Sequence, residues 1–89
     1  FSADGVPTFM TRLTLKNGQI YYWVENEWLR RRHLARIGHN KALGRGYARY
    51  YLRRFQVHQP QAVVTRVDLL RLAPPGAPIL EAEFPMPLR

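Results

Sequence analysis

The sequence predicts a small α+β domain, and three features of its 89 residues carry that expectation. An Asn-Gly pair separates two apolar, β-rich runs. An aromatic repeat of period four follows, interleaved with cations at the same spacing. A β-branched run then leads into a proline-rich end. A chain of this length makes one domain at most and buries only about 60 % of its unfolded surface.

The hairpin comes first. Residues 8–16 and 19–28 flank Asn17-Gly18, the favoured pair for a two-residue type I′ turn, so a β-hairpin is expected over about residues 8–28. That turn sets Leu15 opposite Ile20, Leu13 opposite Tyr22 and Thr11 opposite Val24. Directly opposed residues share a face. Leu13, Leu15, Ile20, Tyr22 and Val24 are therefore expected in the core, with Arg12, Thr14, Tyr21 and Trp23 outside.

Residues 28–37 fit two elements. Leu29, Leu34 and Ile37 suit a short helix, and the same run suits a third strand with its Arg side chains in solvent. Gly38 breaks either one, and His39-Asn40 reads as a loop or a helix start.

A helix is expected over about residues 41–56. Leu43, Tyr47, Tyr51 and Phe55 recur every fourth residue, and Lys41, Arg45, Arg49 and Arg53 recur two residues out of step. Two residues are about 200° on a helix, so one stripe faces a sheet and the other faces outward. Gly44 and Gly46 weaken the start, since each interior Gly costs about 1 kcal/mol relative to Ala, and they allow a start as late as Gly46 or Tyr47. Pro60 marks a connection. The β-branched run that follows favours a further short strand over about residues 62–70. Thr65 to Asp68 also matches a helix capping box, and the strand is the preferred reading.

Residues 73–89 carry Pro74, Pro75, Pro78, Pro85 and Pro87. Proline is unsuited to helix interiors and central strands, so an extended tail is expected. The division that results is a basic body, residues 1–72, and a tail, residues 73–89. The apolar tail residues Ile79, Leu80, Phe84 and Met86 are expected to dock on a neighbouring protein, leaving the body able to stand without them.

Composition narrows the function. The net charge is +8, and residues 28–67 contain no Asp or Glu. Nine of the fourteen Lys and Arg fall within residues 30–54. An uncompensated cationic block repels itself, and phosphate is its commonest partner. Arg suits phosphate because its planar fork donates two hydrogen bonds at once. The expected nucleic-acid contacts are Arg30, Arg31, Arg32, Arg36, Lys41, Arg45, Arg49, Arg53 and Arg54. Tyr50, Tyr21 and Trp23, which fall off the expected core stripes, are the expected stacking groups.

Catalytic chemistry has little to stand on. Cysteine is absent, serine occurs once at Ser2, and His33, His39 and His58 lack metal-ligand spacing. Glu25 and Glu27 read as solvent-facing or paired with Arg. Gly44-Arg45-Gly46 lacks the Lys-Ser/Thr ending of a phosphate loop and reads as a flexible turn or a close backbone approach. No enzyme activity, cofactor, metal or small-molecule substrate is expected. No apolar run approaches the ~18–20 residues that cross a bilayer.

The expected role is a non-catalytic structural subunit of a hetero-oligomeric ribonucleoprotein, most naturally a ribosomal protein of the mitochondrion that meets the rRNA phosphate backbone and neighbouring protein subunits. Phe1-Ser2-Ala3 resembles the mature end left when a mitochondrial presequence is removed, which implies a matrix-side location. One alternative is a peripheral accessory subunit of a mitochondrial respiratory complex or ATP synthase, its Arg residues meeting acidic subunits or lipid headgroups. A further alternative is a DNA-binding module of a larger protein. Residues 16–23 followed by 30–38 resemble the sheet that opens some transposases and integrases.

Overall fold

The computed structural model of the chain describes residues 8–25, 32–37 and 40–88. Four strands and one long helix follow one another as β1 (Phe9–Leu15), β2 (Ile20–Glu25), α1 (Lys41–His58), β3 (Val64–Arg71) and β4 (Ile79–Pro85). The strands form one antiparallel sheet in the order β2-β1-β3-β4, and α1 covers one of its faces. The mixed α+β architecture is the class expected from the sequence.

The hairpin forms, with a register one residue away from the expected one. Leu15 pairs across the turn with Gln19, its N–H donating to the Gln19 carbonyl at 2.9 Å, and Gly18 N–H donates to the Leu15 carbonyl at 3.0 Å. A type I′ turn centred on Asn17-Gly18 requires positive φ at both residues, and among the described residues only Gly18 has one, at 90°. The loop is therefore three residues long, with Gly18 as its bulge. Asn17 Oδ1 accepts the Gln19 N–H at 2.9 Å and fixes it. One residue of slip turns every β2 side chain over. Leu13 now opposes Tyr21 and Thr11 opposes Trp23. Tyr21 and Trp23 point to the helix, while Ile20, Tyr22 and Val24, expected in the core, lie on the far side.

The helix starts earlier than its glycines allow for. Asn40 caps it, with Oδ1 accepting from Ala42 and Leu43 N–H at 3.0 and 3.2 Å. Gly44 is a close approach, as one of the sequence readings has it. A Cβ there would stand 2.8 Å from Cε1 and Cζ of Phe84 on β4. Before the helix, residues 32–37 run from a helical turn at 32–34 through a further turn, with Leu34 and Ile37 buried, in keeping with the helical reading. Trp28 and Leu29 lie outside the described residues.

The core sits between sheet and helix. Phe9, Leu13 and Leu15 of β1, Val64, Val67 and Leu69 of β3, and Tyr47, Ala48 and Tyr51 of α1 are buried in it. Thr11, also buried, exchanges a 2.7 Å hydrogen bond with the Tyr47 hydroxyl.

The proline-rich end differs from the free tail expected. Residues 79–85 are the fourth strand, paired antiparallel to β3 from Arg71↔Ile79 to Arg66↔Pro85. Pro74, Pro75 and Pro78 precede the strand, Pro85 is its last residue and Pro87 follows it. Those are the places where an edge strand tolerates a missing N–H. A shift of register between Leu69 and Leu70 accommodates Glu81 as an extra residue. Phe84 and Met86, expected on a partner, pack against this protein's own core, whereas Ile79 and Leu80 are exposed.

Candidate nucleic-acid interface

The helix sorts its residues by face. Its inner side carries Gly44, Tyr47, Ala48 and Tyr51. Its outer side carries Lys41, Arg45, Arg49 and Arg53, all exposed. No acidic residue occurs anywhere in the helix. These four cations make no hydrogen bond or ion pair among the described residues. With a rise of 1.5 Å per residue they span about 18 Å, spaced by about 6 Å. A row of this kind can neutralise consecutive phosphates of one strand, and it needs no base contact to do so.

The other expected contacts are placed differently. Arg54 is engaged: its guanidinium donates to the Tyr50 hydroxyl at 2.8 Å and lies 4.3 Å from the Trp23 ring centroid. Tyr50 is at the exposed edge of the same group, its ring 5.1 Å from that of Tyr51. Trp23 meets Tyr51 edge-on at 5.8 Å and Tyr21 meets Phe55 at 5.0 Å. The expected register places both outside as stacking groups, whereas in the structure they are partly buried under the helix. Arg36 is exposed in the turn before α1. Arg32 is exposed and has a partner of its own. Arg30 and Arg31 lie outside the described residues.

Where the row begins, Lys41 and Arg45 rim an open hollow of about 490 Å³ whose floor is Phe84, Met86 and Leu88. The remaining cations of the sheet are paired. Arg12 and Arg66 both donate to Oδ2 of the fully buried Asp68, at 2.9–3.0 Å, and Arg71 pairs with Glu81. The unpaired positive charge described here is thus concentrated on α1. Sequence reasoning missed the Arg12–Asp68–Arg66 triplet. Its only sequence signal was the isolation of Asp68 in an acid-poor chain.

No group of three His, Asp or Glu that could hold a metal occurs among the described residues, and no described helix is long and apolar enough to cross a membrane. Among the described residues, the strongly perturbed group is Tyr47. Burial pushes its hydroxyl well above the ordinary 10.0, and the Thr11 hydrogen bond opposes that shift in part. Below about pH 10 the folded and unfolded chains both hold this proton. Above it the unfolded chain releases the proton and the folded chain retains it. The stability this group contributes is therefore present at neutral pH and lost as pH rises. The unfolding free energy from urea titrations should fall above about pH 10 with a slope approaching 1.4 kcal/mol per pH unit from this group. Tyr47→Phe should remove that component and cost about 1–3 kcal/mol at neutral pH, because Thr11 Oγ1 loses its partner. An unchanged alkaline slope would contradict the assignment.

Comparison of the chain with protein-family models, with curated proteins and with solved structures found no match.

Proposed function

We propose that the protein is a non-catalytic structural subunit of a large ribonucleoprotein particle, with the mitochondrial ribosome the particle to test first, and that it holds RNA by its phosphate backbone. The observation that carries this reading is the outer face of α1. Lys41, Arg45, Arg49 and Arg53 form one exposed, unpaired row in a helix without acids. A solvated helix face normally mixes charges of both signs, because like charges four residues apart destabilise it. A row kept uniformly cationic suits a polyanion. Recognition is by charge and shape, since the aromatic rings nearest the row pack against one another or against the helix.

Density-gradient fractionation of the endogenous protein in mild detergent, with and without ribonuclease, tests this. The expected result is a heavy peak that collapses on ribonuclease treatment. A heavy peak that ignores ribonuclease and tracks membrane complexes would replace the proposal with that of a peripheral accessory subunit whose cations meet acidic protein or lipid headgroups.

A further inference from the structure

The face of the sheet that α1 does not cover has an order of its own. The register lays three rows of residues across the four strands. The first is Val24, Met10, Leu70 and Leu80, every member apolar. The second is Tyr22, Arg12, Asp68 and Glu83. The third is Ile20, Thr14, Arg66 and Pro85. The large apolar groups at its edges are open to solvent: Ile20 is 49 % exposed, Tyr22 57 %, Val24 43 % and Leu80 47 %. The centre of the face is closed, with Leu70 and Asp68 buried, and beside it lies a shallow hollow of about 560 Å³ lined by Met10, Arg12, Tyr22, Leu70, Ala77 and Pro78.

Charge sets this face apart. Its two cations, Arg12 and Arg66, are matched by two carboxylates, Asp68 and Glu83, so the rows sum to zero in a chain of net charge +8. A polyanion has nothing to gain here. Among the described residues the buried side-chain oxygens without a hydrogen-bond donor are Thr14 Oγ1 and Asp68 Oδ1, and both belong to these rows. Both atoms are shut off from solvent, so they offer nothing to a partner and the face presents its apolar edges alone.

Size argues for the kind of partner. Strand spacing of about 4.8 Å and a rise of about 3.4 Å per residue give the rows a footprint of about 14 Å by 14 Å. Even with side-chain relief this is far below the ~800 Å² per partner of a stable pairwise interface. A second copy bound by this face alone would dissociate readily. A subunit held by other contacts as well would not.

We propose that the sheet face opposite α1 is the docking surface for an uncharged segment of a co-assembled protein subunit, one with an apolar stripe that meets Ile20, Tyr22, Val24 and Leu80. The molecule is then two-sided, with RNA on the outer face of α1 and protein on the exposed edges of the opposite sheet face. The docking assignment rests on the proposed role as a subunit of an assembly, and not on RNA being what α1 meets.

The test titrates the full chain, followed by backbone amide NMR, with a short uncharged peptide of Leu, Ser and Gln patterned as an amphipathic helix. Shifts are expected at Met10, Ile20, Tyr22, Val24 and Leu80 and not at Arg45, Arg49 or Arg53. Tyr22→Ser with Val24→Ser should weaken binding by about tenfold or more and leave RNA affinity and its salt dependence unchanged. Ile20→Ser, a single change in an exposed side chain, should weaken it in the same direction if the double variant loses its fold. Sedimentation should show a monomer. Absence of binding, shifts confined to α1, an RNA oligonucleotide that shifts the sheet face, or a dimer that Tyr22→Ser dissociates would each overturn the proposal, the last in favour of a second copy as occupant.

Discussion

Replacing Arg45, Arg49 and Arg53 together by Gln should lower affinity for single-stranded RNA about a hundredfold at 0.1 M salt and hardly at all near 1 M. Each phosphate contact on a single strand releases about 0.7 of a counterion, so three lost contacts flatten the slope of log K against log salt by about two. At 0.1 M that difference is about two decades. The fold should not suffer. The three side chains are exposed and unpaired among the described residues, and Gln is a comparable helix former. Arg45 and Arg49 stand four residues apart, as do Arg49 and Arg53, so the change also relieves repulsion worth a few tenths of a kcal/mol per pair. RNA affinity should therefore fall while the melting temperature holds or rises slightly. Fluorescence anisotropy across a salt series checks the first half and a thermal melt the second. A parallel displacement of the salt plot, with its slope intact, would mean that these arginines do not touch phosphate.

The parts of this design that were legible in the sequence are those fixed by a single local period. The stripe Leu43, Tyr47, Tyr51, Phe55 and the opposing stripe of cations follow from helix geometry alone, and the structure places the first inward and the second outward. What was not legible depended on partners far away in the chain. The turn at Asn17-Gly18 admits two registers, and the choice is expressed where Tyr21 and Trp23 meet Phe55 and Tyr51. That choice turned Tyr21 and Trp23 inward, drew Arg54 onto Trp23 and freed Ile20, Tyr22 and Val24. The proline-rich end was misread for a related reason. Proline excludes a central strand but not an edge strand, and only the free edge of β3 shows that an edge was available. Asp68 looks like one acid among few. Its role as the shared partner of Arg12 and Arg66 exists only once β1 and β3 are side by side.

Deleting residues 73–89 should abolish cooperative unfolding, and this is the largest stability effect the structure implies. A detachable tail would leave residues 1–72 folded. In the structure the deletion strips β4 from β3 and uncovers the side of the core closed by Ala82, Phe84, Met86 and Leu88. Phe84 alone stands 5.9 Å from the Tyr47 ring, and truncating a core Phe typically costs about 3–5 kcal/mol, somewhat less where the ring is half-buried. Small domains have only about 5–15 kcal/mol in total. Losing that contact, three further apolar side chains and one ladder of backbone hydrogen bonds exceeds what a short chain can spare. A graded version of the same test uses the two helix glycines. Gly46 has nothing within 4 Å of an added Cβ, so Gly46→Ala should stabilise by about 1 kcal/mol. The Cβ of Gly44→Ala would stand 2.8 Å from the Phe84 ring, and overpacking of about 1–3 kcal/mol should cancel or reverse the same gain. Chemical denaturation of the three variants decides the matter. A truncated chain that unfolds cooperatively, beside a Gly44→Ala variant as stable as Gly46→Ala, would mean that β4 is detachable and that Phe84 and Met86 are free to anchor on a neighbour.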